Sequence, residues 1–349
     1  MELLTVFWFL VVLFVCVVLH ELGHYGAARA VGIKVHEFAF GMGPVVCQRQ
    51  RWHAVWSWRL LPLGGFVRMA GMGDEEDEDV PQTARFDGKK PYQKLFVVLA
   101  GPAANLLLAA VVAASVMYFG GVYDLSRSAV GAVMSGYPAE KAGLLPGDEV
   151  LSVNGQNTTD WESLVSAIRR EGSSRPITFA VRRNGGTFNV RMTAQAAKNP
   201  SDPPLVGIQP AKRRPGIGES FVDGFAFTFR LSFLMIKELG GMIAHPSTAQ
   251  VAGPVGIAVM AGDAARSGAL ALLSFLAVIS LNLGIVNLLP FPALDGGRAF
   301  FAVIEMIQGR PVSEQIERRV HFAGFVVLMI FILAVTWHDV VGLISGAKR

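Results

Sequence analysis

The sequence predicts a multi-pass α-helical membrane protein of four spans, with a membrane-associated β-hairpin region and an extracytoplasmic α/β domain. Three observations predict it. Of 349 residues, 52% are hydrophobic and 17% charged, and the mean hydropathy of +0.43 is too high for an ordinary soluble domain. The apolar residues gather into four runs without a charge, Leu3–Leu19, Leu95–Gly121, Gly268–Leu294 and Phe322–Trp337. Each approaches or exceeds a bilayer-crossing length, and the two short ones can be extended by their flanks. Between the second and third runs, from Ser128 to Lys212, the composition reverts to polar strands, turn residues and one helical stretch at Asp160–Arg170.

The first element, residues 1–34, is read as a retained span. Its opening, Met1-Glu2-Leu3-Leu4, lacks the Lys or Arg of a secretory signal, and the helix runs straight into His20-Glu21-Leu22-Gly23-His24. On a helix, positions i and i+4 share a face, so His20 and His24 can grip one divalent metal while Glu21 projects beside them to take a proton from water. Zinc suits two imidazoles completed by a third ligand with one position left open. Such a cluster at a membrane span is costly to bury without a purpose.

Residues 35–72 change character. Short strands are expected near Glu37–Phe40, Val45–Arg49, Ala54–Leu60 and Phe66–Met69, punctuated by Gly41, Gly43, Pro44, Pro62, Gly64 and Gly65. Two readings stand here. One is a solvated hairpin pair. The other is a sheet dipping beside the site, anchored by Trp52, Trp56 and Trp58, with an exposed edge that could hold an extended peptide. Residues 73–90 form an acidic cytoplasmic loop, and Asp74–Asp79 is expected to be solvated.

The second span, 91–123, contains Gly101-Pro102-Ala103-Ala104-Asn105, small residues for close packing and an asparagine that needs a partner. In 128–212, the run from Ala142 through Leu144-Leu145-Pro146-Gly147-Asp148 to Asn154-Gly155 resembles the core of a PDZ domain, which implies a groove for an extended peptide or a carboxyl terminus. It could equally act as a spacer that obstructs access. Residues 213–267 hold a linker (Pro203–Pro215 reads as its start) and an interfacial helix at Phe221–Ile236, where Asp223 and Arg230 argue against a fifth span.

The third span, 268–299, ends in Asn287-Leu288-Leu289-Pro290-Phe291-Pro292-Ala293-Leu294-Asp295-Gly296-Gly297. Two prolines and two glycines should break the helix, which is tolerated at membrane depth where it lines a cavity. Asp295 would face inward from the unwound stretch to complete a two-His, one-carboxylate site. A cytoplasmic loop at 300–320 and the fourth span at 321–349 follow. Basic residues in the segments 29–94 (Arg49, Arg51, Arg59, Arg68, Arg85, Lys89, Lys90) and 298–319 (Arg298, Arg310, Arg318, Arg319) place both loops in the cytoplasm. Both termini and the 128–212 domain are then outside; Lys348-Arg349 argues mildly the other way. Cys16 and Cys47 fit no disulfide. The net charge of +4 comes mostly from the cytoplasmic loops and suggests topology rather than nucleic acid.

Taken together, the His-Glu-x-x-His of the first span, the Gly-Pro-x-x-Asn of the second, the PDZ-like insert and the Asn-x-x-Pro-x-Pro-x-Leu-Asp-Gly-Gly stretch resemble the site-2 protease family, in particular its bacterial regulator-of-sigma-E branch. The resemblance implies an intramembrane zinc metalloendopeptidase of the bacterial inner membrane, with His20, His24 and Asp295 as zinc ligands and Glu21 as the catalytic carboxylate. It implies substrate contact for Asn287, Pro290 and Pro292, and Asn105 is placed with them. The implied partners are the lipid bilayer and single-span membrane proteins, either trimmed anti-sigma factors or remnant signal peptides. A trimmed terminus is expected at the PDZ-like domain, and no nucleic acid. One departure is the single PDZ-like domain where some relatives carry two in tandem. A non-proteolytic adaptor with a structural metal is the other class of function, disfavoured because a structural site needs neither Glu21 nor a broken span; a metal transporter is a third.

Overall fold

The structure, a computed structural model, describes residues 3–72, 77, 79–173, 175–196, 204–244 and 253–344. It has two compact units, Met1–Val116 with Ser220–Arg349, and Met117–Glu219. Of the acidic run only Asp77 and Asp79 are described; Pro203 at the start of the expected linker, Lys348 and Arg349 also lie outside the described residues.

Helix α1 (Leu3–Ala30) carries the first apolar run through the histidines without interruption. Its end is a Schellman cap: Gly32 takes φ +73°, the Ile33 N–H reaches the Ala28 carbonyl at 2.8 Å and the Gly32 N–H reaches Arg29 at 3.1 Å. Strands β1 (Val35–Arg51) and β2 (Ala54–Met69) pair next. They are long only along the chain. Phe38 pairs with both Val67 and Trp56, and Phe40 with both Gly65 and Trp58, while Arg49 pairs with Trp56. The strands therefore fold into four short segments in the order 45–51, 54–59, 37–40, 65–69, close to the four strands expected from the sequence. The bends fall at glycines, of which Gly41 (φ +86°) lies so close to the Leu61 carbonyl that a Cβ would sit 2.3 Å from it. The sheet's aromatic face stacks Phe38 on Trp56 and Phe40 on Trp58, at 4.6 and 4.5 Å between ring centres.

Asp77 departs from the expectation of a solvated acidic run. It is buried, its Oδ1 lies 2.8 Å from His36 Nε2, and its Oδ2 accepts the Gly71 N–H at 2.6 Å. Burial pushes its carboxyl pKa up, but the Gly71 and His36 hydrogen bonds outweigh burial and hold it below the ordinary value.

Helix α2 (Pro91–Gly120) opens on a proline, suited to a first turn that lacks N–H partners, and carries Pro102 within it. It leads into the second unit. There β3 (Val122–Tyr123), β4 (Val130–Val133), short helix α3 (Pro138–Lys141), β5 (Glu149–Val153), β6 (Gln156–Asn157), α4 (Trp161–Glu171), β7 (Pro176–Arg183), β8 (Gly186–Thr193), β9 (Ile208–Pro210) and β10 (Lys212–Arg213) follow. The sheet order β6-β5-β7-β8 is flanked by the pairs β4-β9 and β3-β10. Helix α4 is one residue off the expected stretch; Asp160 is its N-cap, in a capping box with Ser163. Its Leu164, Ala167 and Ile168 pack on Val150, Ile177, Phe179 and Val181 in one core. In the PDZ-like segment, Asp148 is buried beneath Arg183, whose Nε donates to Oδ1 at 2.6 Å and whose Nη2 donates to Oδ2 at 2.8 Å.

Returning to the first unit, α5 (Ile217–Ala244) is longer than the interfacial helix expected at Phe221–Ile236. It lies along the spans rather than apart from them: Leu231, Met235 and Leu239 pack on a cluster of Ala109, Leu281 and Ile285, and Gly224 abuts Ala114, where a Cβ would be 2.7 Å from the Ala114 nitrogen. Helix α6 (Pro254–Arg266), unforeseen within the 213–267 stretch, packs on α1 through Gly262 against Thr5. Helices α7 (Ala269–Leu288), α8 (Asp295–Gln308) and α9 (Glu314–Ile344) complete the unit. Residues 300–308, expected in a loop, thus continue a helix. Among the described residues, four helices, α1, α2, α7 and most of α9, are long and apolar enough to cross a membrane.

Candidate metal centre

Helix α1 builds the site by presenting two faces. Phe14, Val17, Glu21 and Tyr25 recur at intervals of three and four and turn toward the sheet. Phe14 stacks on Trp58, Tyr25 meets Phe38 edge-on, and Gly65 sits so close that a Cβ there would lie 3.2 Å from Val17 Cγ1 and 3.4 Å from Glu21 Cγ. Cys16, His20 and His24, spaced by four, form the buried face toward the other helices. Glu21 therefore stands at the seam between the histidines and the segment 65–69. Within the sheet, Glu37 accepts from the Ser57 hydroxyl at 2.5 Å and from Arg59 at 2.7 Å. Burial raises its pKa, but those two bonds outweigh burial and keep it a fixed anion.

Asp295, His20 and His24 come together although 271 residues separate the second histidine from the aspartate. Nε2 of His20 and Nε2 of His24 are 3.2 Å apart. Asp295 Oδ2 lies 3.0 Å from the first and 3.3 Å from the second. Metal bonds of about 2.0–2.1 Å at tetrahedral angles place their donors about 3.3 Å apart. The three atoms thus form one face of such a tetrahedron. Two imidazoles and one carboxylate are also a donor set that zinc takes in catalytic sites, and three ligands leave a fourth position open. The residues fit the metal.

Helix α2 supports both rings with one face. His24 Nδ1 donates to the Val97 carbonyl at 2.9 Å. Eight residues on, the Asn105 amide nitrogen lies 3.4 Å from His20 Nδ1. Between them is Gly101, where a Cβ would lie 2.2 Å from His24 Nε2. Asn105, expected to contact substrate, is instead only 1% exposed and faces a histidine. Ser280 Oγ on α7 donates to its main-chain carbonyl at 2.8 Å.

The third donor, the Asp295 carboxylate, is held differently from the expectation of an unwound stretch. The break spans Leu289–Leu294, and Asp295 opens α8, where a negative charge suits the helix N-terminus. The two glycines after it are steric necessities: a Cβ on Gly296 would lie 2.0 Å from the Leu289 carbonyl, and one on Gly297 2.5 Å from that of Phe291. Ala293 adopts φ +78°, and its N–H donates to His321 Nδ1 on α9 at 3.0 Å. Gly324, one turn on, admits Pro292, which a Cβ would approach to 2.3 Å. Lys94 ties α2 to α8 through Glu305 at 2.8 Å. Asn287 lies in the last turn of α7, with Pro290 exposed and Pro292 packed under α9. Sequence reasoning missed Val97, Ser280, Glu305 and His321. No motif contains them, and a backbone carbonyl leaves no residue signature at all.

The chain matches known proteins over nearly its whole length. The profile of peptidase family M50 matches residues 8–331. A putative zinc metalloprotease of Clostridium acetobutylicum is 36% identical over 94% of this chain and 94% of its own. Zinc metalloprotease RasP of Geobacillus kaustophilus is 33% identical over 95% of this chain and 96% of its own. Regulator of sigma-W protease RasP of Bacillus subtilis is 28% identical over 96% and 98%.

Proposed function

Because the chain belongs to peptidase family M50, the site-2 type of intramembrane zinc metalloprotease, we propose that His20, His24 and Asp295 hold the zinc and that Glu21 is the proton-transferring carboxylate. The observation that carries this reading is the donor triangle of 3.2, 3.0 and 3.3 Å, with its open fourth position. Zinc, when bound, supplies a Lewis acid that acidifies water and polarises the scissile carbonyl. The chain's own groups do the rest. Glu21 accepts the proton of the attacking water and delivers it to the departing amine. The segment 65–69, the outer edge of the sheet beside Glu21, accepts the substrate as an added strand, because a helix hides its peptide bonds. Asn287, Pro290 and Pro292 border that substrate where α7 breaks.

The substrate class is a single-span membrane protein already trimmed outside. The name of the Bacillus subtilis relative ties it to a sigma factor, and for this chain a trimmed anti-sigma factor is the favoured substrate, with remnant signal peptides as the second class. The basic loops orient the chain with the termini and the 128–212 domain outside and the site toward the cytoplasm.

The test is cleavage of a single-span substrate by purified, zinc-quantified protein. Glu21→Gln should keep one zinc per chain and lose cleavage by about a thousandfold. Asp295→Asn should load zinc poorly. Persistent cleavage by the first variant removes Glu21 from the chemistry, and full zinc in the second removes Asp295 from the ligands.

A further inference from the structure

One polar atom beside the donor triangle is orphaned. Asn105 is 1% exposed, and its Oδ1 is buried with no hydrogen-bond partner, while its amide nitrogen lies 3.4 Å from His20 Nδ1. A buried acceptor left unpaired is destabilising, so its persistence beside a ring nitrogen calls for a chemical reason.

The ring supplies one. His20 directs Nε2 at His24 and Asp295, and a nitrogen that binds a metal must present its lone pair. The neutral ring then carries its proton on Nδ1, which becomes a donor in need of an acceptor. The amine end of Asn105 is a second donor and cannot serve. A half-turn about the last side-chain bond exchanges the two ends of the amide at nearly constant shape. It brings Oδ1 to Nδ1–H and removes the orphan in the same motion. The other imidazole is already satisfied in the same manner, by Val97 O on His24 Nδ1 at 2.9 Å. Val97, Gly101 and Asn105 lie on one face of α2 at intervals of four. That face reads both rings, one through a main-chain carbonyl and one through a side-chain carbonyl.

We infer that Asn105 is a positioning residue whose side-chain carbonyl accepts Nδ1–H of His20, fixing the tautomer and ring rotation that leave Nε2 free for the metal. The inference rests on the reading of His20 as a ligand. It replaces substrate contact as the role of Asn105, since substrate has no access to a side chain so fully enclosed.

The experiment is a zinc titration of the full-length apo-protein in detergent against a chelator of known affinity, on wild type, Asn105→Leu, Asn105→Asp and His20→Ala, with apo melting temperatures alongside. Leucine keeps the volume and removes the acceptor; aspartate keeps an oxygen in place. Loss of a partner to a metal-bound histidine weakens metal binding about 10–100-fold. Asn105→Leu should show that loss with an unchanged apo melting temperature, and Asn105→Asp should stay within about threefold of wild type. Nitrogen shifts of labelled histidine should report His20 protonated at Nδ1 in wild type and a mixture of tautomers in Asn105→Leu. If the leucine variant melts early, the aspartate affinity and the wild-type nitrogen signature decide alone. Wild-type affinity in Asn105→Leu, or equal weakness in Asn105→Asp, overturns the inference. Wild-type affinity in His20→Ala overturns instead the ligand reading on which it stands.

Discussion

A single methyl group separates two kinds of failure at this site. At Gly101 a Cβ would lie 2.2 Å from His24 Nε2, the atom proposed to hold the metal. Gly101→Ala should therefore displace the ring and weaken zinc binding by more than about a hundredfold, beyond what loss of a supporting hydrogen bond does, which zinc titration would measure. At Gly65 a Cβ would press on the Ala39 carbonyl at 2.9 Å and approach Glu21 Cγ at 3.4 Å without reaching the donors. Gly65→Ala should keep full zinc and lower cleavage about tenfold or more by misplacing the sheet edge against Glu21. Equal zinc in wild type and Gly101→Ala, or reduced zinc in Gly65→Ala, would contradict this division. The histidines, Glu21 and Asp295 were legible in the sequence because helical spacing and a broken span leave marks in the letters. The roles of the glycines were not, since what a glycine makes room for comes from another element.

Among the elements, those set by local chemistry follow the sequence closely. Asp160 caps α4 as its side chain requires, and the four glycine-punctuated segments of the sheet lie near their expected ends. Elements set by long-range packing do not. Helix α6 has only 13 residues and no strong pattern, and it exists where Gly262 fits against Thr5. Helix α8 begins at Asp295 itself because the glycines after it let the first turn close over the loop it has just left. The turn before β5 carries a pH dependence that can be measured. Burial raises the Asp148 carboxyl pKa, but the paired bonds from Arg183 and the Leu145 N–H hold it below the ordinary carboxylate value. Asp148→Asn should cost about 2 kcal/mol, less than a fully buried pair because Arg183 is partly exposed. A depressed carboxyl stabilises above the unfolded pKa of about 3.9 and loses that contribution as pH falls through the folded value. The wild-type advantage should thus be constant from neutrality to about pH 5 and shrink below about pH 4. Hydrogen exchange of β5 and β7 in the full-length protein reads it, and an advantage unchanged at pH 3 would refute the assignment.

For the whole molecule, the unit of residues 117–219 enters and leaves the chain at one place. Val122 pairs with Arg213, so deleting residues 128–212 leaves two ends that already lie side by side. If this unit withholds untrimmed substrates, the deletion should keep zinc and release cleavage of a full-length single-span substrate. Strict dependence on prior trimming after the deletion would end the gating idea. The order of the proposed ligands along the chain has its own result. His24 and Asp295 lie 271 residues apart, with α2, the 117–219 unit, α5, α6 and α7 synthesised between them. At about 5–20 residues per second, a ribosome needs roughly 15–55 s to pass from one to the other. On the proposed assignment, the nascent protein sits in the membrane during that interval holding two of its three ligands. On that same assignment, a chain that ends before Asp295, by a truncated message or a stalled ribosome, lacks the third donor and should insert without the power to cut its neighbours.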